Sequence, residues 1–114
     1  MRENEEKNLS ETQRKVMAVI WDWDSDTPLD LMGIVERANE RFQMQWKSTT
    51  VSTFLSYCRK KGFLSFERKG RDFYYTPKVS KEEYFLKFLQ EHCDVLGIPA
   101  ETLIAEAERI FSEQ

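Results

Sequence analysis

A chain of 114 residues leaves room for one compact domain, or a small domain with an appendage. Its hydrophobic fraction of 40% and its 3 Trp, 4 Tyr and 8 Phe suffice for a core and exclude a disordered chain except at its ends. No apolar run approaches the roughly 20 residues of a membrane span, and the net charge of −3 at first argues against nucleic acid.

The distribution of charge reverses that last inference. Residues 1–43 carry 6 basic and 10 acidic groups (−4), residues 44–79 carry 8 and 2 (+6), and residues 80–114 carry 3 and 8 (−5). Phosphate binding follows local rather than total charge, so the middle segment is the one to inspect.

Residues 1–9 read as a flexible N-terminus, charged and without an apolar signal core, which predicts a cytoplasmic protein. Ser10-Glu11-Thr12-Gln13 is a capping box, and the helix it opens carries Val16, Val19, Ile20 and Trp23 at helical spacing. Asp22, Asp24 and Asp26 read as loop and cap residues. They lack the glycine and the distal glutamate of a calcium loop. Thr27-Pro28 predicts the start of a second helix, a hydroxyl cap followed by proline at the first helical position. Its apolar stripe is Leu31, Ile34, Val35, Ala38 and Phe42.

After a short join, Ser48 is the expected cap of a third helix. Val51, Phe54, Leu55 and Cys58 fall at i, i+3, i+4 and i+7 and face a core. Thr49, Ser52, Thr53, Ser56, Arg59 and Lys60 fall on the other face, and Gly62 stops the helix after a basic last turn. Phe63 to Arg68 and Asp72 to Thr76 read as two strands with Lys69-Gly70 as the turn and Pro77 as the end. Three helices followed by a hairpin predict a mainly α (α+β) fold: a winged helix-turn-helix over residues 10–79. Ser80-Lys81-Glu82-Glu83 is a second capping box. Beyond it, helices over 80–93 and 100–112, separated by Gly97 and Pro99, are too short and apolar to stand alone. Residues 80–114 therefore read as a helical dimerisation region in which Tyr84, Phe85, Phe88, Leu89, Leu103, Ile104, Ala107 and Phe111 face a second copy.

Small hydroxyl side chains let a helix approach base edges, and cations beside them hold phosphates. The candidate DNA contacts are Lys47, Ser48, Thr49, Thr50, Ser52, Thr53, Ser56, Arg59, Lys60, Arg68, Lys69 and Arg71. Singly, each has a plainer reading. The hydroxyl face could be solvated surface, Arg59-Lys60-Lys61 a helix end complementing the dipole, and the hairpin cations edge protection. The tryptophans read as packing residues. His92-Cys93 supplies two of the four ligands that a structural zinc wants, so no metal or other cofactor is expected. Cys58 and Cys93 read as reduced thiols. No nucleophile with a base, no phosphate-cradling glycine loop and no paired acid and base is found, which argues against an enzyme.

The runs Val16-Met17-Ala18-Val19-Ile20-Trp21, Trp46-Lys47-Ser48-Thr49-Thr50-Val51-Ser52-Thr53-Phe54-Leu55 and Lys61-Gly62-Phe63-Leu64 resemble the penicillinase-repressor (BlaI/MecI/CopY) family. So do Arg71-Asp72-Phe73-Tyr74-Tyr75-Thr76-Pro77 and Val79-Ser80-Lys81-Glu82-Glu83-Tyr84. The resemblance spans about Leu9 to Leu89. It implies a bacterial homodimeric repressor of a palindromic operator on double-stranded DNA. In antibiotic-responsive members it also implies a membrane sensor peptidase whose signal leads to proteolysis. The chain departs from the family in having no paired-cysteine copper motif and in placing Tyr57 and Cys58 where many members have a basic residue. No cleavage site is evident between Phe85 and Leu96. The expected function is a DNA-binding transcriptional regulator; the alternative is a winged-helix protein-interaction module without sequence-specific DNA binding.

Overall fold

The computed structural model describes residues 8–24 and 26–113. Its elements in chain order are α1 (Glu11–Trp21), β1 (Leu29–Asp30), α2 (Leu31–Phe42), α3 (Ser48–Lys60), β2 (Leu64–Lys69), β3 (Asp72–Pro77), α4 (Lys81–Leu96) and α5 (Ala100–Ser112). The chain divides into two compact units after Lys81.

In the first unit, α1, α2 and α3 pack on one another. The capping box of α1 is complete: Gln13 N donates to Ser10 Oγ, and Ser10 N donates to Gln13 Oε1 at 3.0 Å. Met17, Val16, Ile34, Val51, Leu55, Cys58 and Leu64 are the largest fully buried side chains among the described residues. They come from all three helices and the first long strand, which fixes where α3 must lie. Trp23 falls beyond the end of α1, because Asp22 already occupies the C-cap. There its indole donates to the Thr27 carbonyl, and the Arg37 guanidinium lies 4.2 Å from its ring centroid.

The second helix does not start at Pro28. Leu29 and Asp30 pair instead with Tyr75 and Tyr74 as a short edge strand, so the hairpin becomes a three-stranded antiparallel sheet in the order β1-β3-β2. Asp30 then caps α2, its carboxylate accepting from Gly33 N at 2.8 Å. A Cβ on Gly33 would meet Leu29 Cδ2 at 2.9 Å and Asp30 Oδ1 at 3.0 Å, so glycine suits this turn by its missing side chain. The N-terminal expectation also changes at its inner edge. Of the nine residues read as flexible, residues 1–7 lie outside the described residues, while Leu9 is buried in the core. The Asn8 carbonyl accepts from Lys61 Nζ at 2.7 Å.

In the second unit α4 runs to Leu96, three residues past the 80–93 span, and Gly97 ends it in the left-handed conformation with φ +71. Tyr84, Phe88 and His92 line one side of α4. Ring centroids are 6.1 Å apart for the first pair and 4.0 Å for the second, as expected for side chains four residues apart on a helix. Among the described residues no helix is long and apolar enough to cross a membrane.

Candidate nucleic-acid interface

Residue spacing sorts the surface of α3. At about 100° per residue, Thr49, Thr53, Ser56 and Lys60 form the centre of the face opposite Val51, Leu55 and Cys58. Ser52 and Arg59 lie on the flank toward the hairpin, where with Phe66, Phe73 and Tyr75 they line a cleft of about 190 Å³. Thr50 and Tyr57 lie on the opposite flank. The polar face is therefore continuous with one face of the sheet. The Thr53 hydroxyl donates to the Thr49 carbonyl at 3.0 Å, which leaves its oxygen free to accept from an outside donor.

The start of α3 is set by residues that sequence reasoning passed over. Gln43 ends α2 in the left-handed conformation, φ 56 and ψ 48. Asn39 then holds Trp46 from both sides: its Oδ1 accepts from Trp46 N at 2.9 Å, and its Nδ2 donates to Trp46 O at 3.0 Å. The Trp46 ring packs edge-on against Phe54, with centroids 5.1 Å apart. Lys47, not Ser48, is the N-cap residue. The Lys47 carbonyl accepts from Val51 N, so Ser48 is already inside the helix, and no side chain caps this end. The first amide N–H groups of α3 are thus left to solvent or to an anion.

The hairpin turn lies one residue later than expected. Lys69 and Asp72 form the last rung, and Gly70 (φ +65) with Arg71 makes the loop. Strand alternation puts Phe66 and Arg68 on the face toward α3 with Phe73 and Tyr75, and puts Lys69 on the other face with Tyr74. Arg68 Nε donates to the Gly70 carbonyl at 3.0 Å, which folds it over the tip.

All six candidate cations, Lys47, Arg59, Lys60, Arg68, Lys69 and Arg71, are exposed. Among the described residues only Lys69 has a carboxylate within reach, Glu67 at 4.0 Å. Four of them lie near aromatic rings: Arg59 over Phe66 (4.8 Å to the centroid), Lys60 over Tyr57 (5.8 Å), Arg68 over Phe73 (5.7 Å) and Lys69 over Tyr74 (5.8 Å). Burial raises the Tyr75 phenol above its usual range, with the nearby Arg59 charge acting in the opposite direction. Lys61 does not belong to this surface. Its ammonium donates to Asn8 O and Gln13 Oε1, both at 2.7 Å, and so ties the end of α3 to the start of α1.

A second charged cluster lies at the end of the first unit. Asp22 accepts from Arg41 and from Lys81 at 3.3 Å, while the Trp21 indole donates to Val79 O at 2.8 Å. Desolvation alone would raise the Asp22 carboxyl; hydrogen bonds and positive charge from Lys81 and Arg41 outweigh it and lower the group below its usual value. Among the described residues no three His, Cys, Asp or Glu side chains are grouped to hold a metal ion.

Among the expected pairing residues of the second unit, Phe85, Ile104 and Phe111 are exposed. Phe88, Leu89, Leu103 and Ala107 are half-buried, and Tyr84 is buried. Leu86, Val95, Leu96 and Ile110 add exposed apolar surface beyond the eight residues expected from spacing. Their signal is present in the sequence, since each sits on a helix that reads as amphipathic.

Three packed helices, with the third adjoining the open face of a β-hairpin, make this a winged helix-turn-helix protein. A family model described as penicillinase repressor matches residues 9–105, and the chain belongs to that family. A penicillinase repressor of Bacillus licheniformis is 29% identical over 76 residues, covering 67% of this chain and 56% of that protein. An uncharacterized 16.5 kDa protein in the ptsI 3' region of Latilactobacillus sakei is 28% identical over 87 residues, 74% of this chain and 56% of that one. The chain thus spans a little over half the length of these curated relatives. Among solved structures it is similar to the DNA-binding domain of the repressor BlaI, with 27% identity and a TM-score of 0.56, over 68% of this chain and 89% of that one. It is also similar to the monomeric form of Bacillus licheniformis BlaI in complex with the blaP half-operator, with 28% identity and a TM-score of 0.53, over 68% and 88%.

Proposed function

We propose that this chain is a cytoplasmic transcriptional repressor, not an enzyme, which binds a palindromic operator as a homodimer. The observation that carries the reading is the shared surface of α3 and the hairpin: hydroxyl side chains at its centre, with five exposed cations that have no carboxylate partner among the described residues around it. In this reading α3 enters the major groove. Thr49, Thr50, Ser52, Thr53 and Ser56 approach base edges. Ser48 and the uncapped first turn meet a phosphate, and Lys47, Arg59, Lys60, Arg68, Lys69 and Arg71 hold the backbone on either side. The similarity to a repressor solved with a half-operator supports DNA as the partner.

Pairing through residues 80–114 would cover the exposed apolar side chains of α4 and α5 and set two recognition helices about 34–36 Å, or a multiple, apart along one side of the duplex. Loss of repression through a sensor peptidase belongs to the family side of this reading. Selection of bound fragments from random DNA tests the function. The expected product is a site with two inverted half-sites at that spacing. Recovery of no enriched site would contradict sequence-specific repression and favour a protein-interaction role for the same surface.

A further inference from the structure

We infer that Phe66, in the middle of β2, is a positioning residue for the DNA surface: its ring is the shelf that holds the Arg59 guanidinium of α3 and links it to the wing. The inference rests on the proposed DNA-binding role and adds a determinant outside the helix and outside the charged set. Phe66 is 40% exposed, too much for a core side chain, yet it is not solitary. The Arg59 guanidinium lies 4.8 Å from its centroid. Phe73 meets it edge-on at 5.3 Å, and Tyr75, directly opposite in register, is tilted against it at 6.2 Å. Phe73 in turn lies beneath Arg68, so one aromatic cluster carries a cation from the helix and a cation from the wing.

Arginine suits this arrangement because its planar group stacks on a ring while its N–H donors still point outward. A guanidinium already held over a ring gives up less freedom when it meets a phosphate, and that gain in preorganisation appears in affinity. It leaves the number of charges at the interface unaltered, so it must not appear in the salt dependence. This separation gives the inference its test.

The experiment uses the full chain and a duplex that the wild-type protein selects from random DNA, titrated by fluorescence anisotropy at several salt concentrations. Phe66→Leu is expected to weaken binding by about 2–5-fold per half-site, the size of an exposed cation–π contact, with an unchanged salt slope. Phe66→Tyr, which keeps the ring, is expected to retain wild-type affinity. Arg59→Lys keeps the charge but loses the planar stack, and is expected to show a similar loss with the same slope whether or not Phe66→Leu folds well. In an Arg59→Ala background the Phe66→Leu effect should largely vanish. Wild-type affinity in Arg59→Lys, or an equal Phe66→Leu loss with and without Arg59, would overturn the positioning role while leaving DNA binding intact. A wild-type protein that selects no duplex would overturn both.

Discussion

Cys58 and Lys61 lie three residues apart at the end of α3, and both side chains are engaged within the fold. Burial pushes the Cys58 thiol up to about 12, with the Lys61 charge pulling the other way. In the folded chain at neutral pH a soluble thiol reagent should therefore modify the half-buried Cys93 and spare Cys58, which reacts only once the protein is unfolded. Reaction of both thiols at equal rates would contradict this packing. The fold favours the protonated thiol, so this contribution to stability is whole below the unfolded value of 9.0 and is lost as pH rises toward about 12. The raised Tyr75 phenol acts in the same direction above 10.0. Denaturant midpoints should fall with pH across that alkaline window. Lys61 reads from sequence like its neighbours in a basic run. Nothing local reveals that its ammonium reaches Asn8 and Gln13, some fifty residues earlier in the chain. Lys61→Ala should cost about 1.5–3 kcal/mol of stability, the range for hydrogen bonds to a charged group, and leave the DNA salt slope unchanged. Lys60→Ala should do the reverse, lowering the slope by about 0.9.

At the level of elements, what is legible in the sequence follows from periodicity, and what is not depends on partners distant along the chain. The core face of α3 is readable because Val51, Leu55 and Cys58 recur at helical spacing, and all three are buried. The start of α2 is not. Thr27-Pro28 satisfies every local rule for a helix start, but the free edge of β3 offers Leu29 and Asp30 backbone partners about 45 residues away, and pairing there delays the helix to Leu31. Asp30→Ala removes the cap and should destabilise the protein by about 0.5–2 kcal/mol, measured by chemical denaturation. Asn39 escapes notice for the same reason: its amide looks like a solvated helix residue until Trp46 folds back onto it. Asn39→Ala should weaken DNA binding beyond its stability cost, because it frees the turn that aims α3. A variant that loses stability but binds DNA with wild-type affinity would show that the turn is held without it.

For the whole molecule, the division of charge into an acidic, a basic and an acidic stretch is visible in the sequence, and it marks the segment that carries the six exposed cations of α3 and the hairpin. The extent of the apolar surface on α4 and α5 is only partly visible. Spacing picks out eight residues, whereas Leu96 at 69% exposure and Val95 at 84% extend that surface to the end of α4. If it pairs two copies, Phe88→Asp places a charge among the rings of Tyr84, Phe85 and His92 and should yield monomers in sedimentation, with much poorer operator affinity. A variant that sediments like the wild type would refute pairing through this surface, and monomers that bind as tightly as wild type would refute its role in operator affinity. The claim on which all of this depends is that the hydroxyl face of α3 and the cations of the hairpin meet DNA together. Its most direct measurement is the salt dependence of duplex binding by the wild-type chain and by Arg68→Ala/Lys69→Ala. The slope should flatten by about 0.9 for each phosphate that the variant no longer neutralises, with affinity falling alike on every sequence; an unchanged slope would mean that the wing does not touch the duplex.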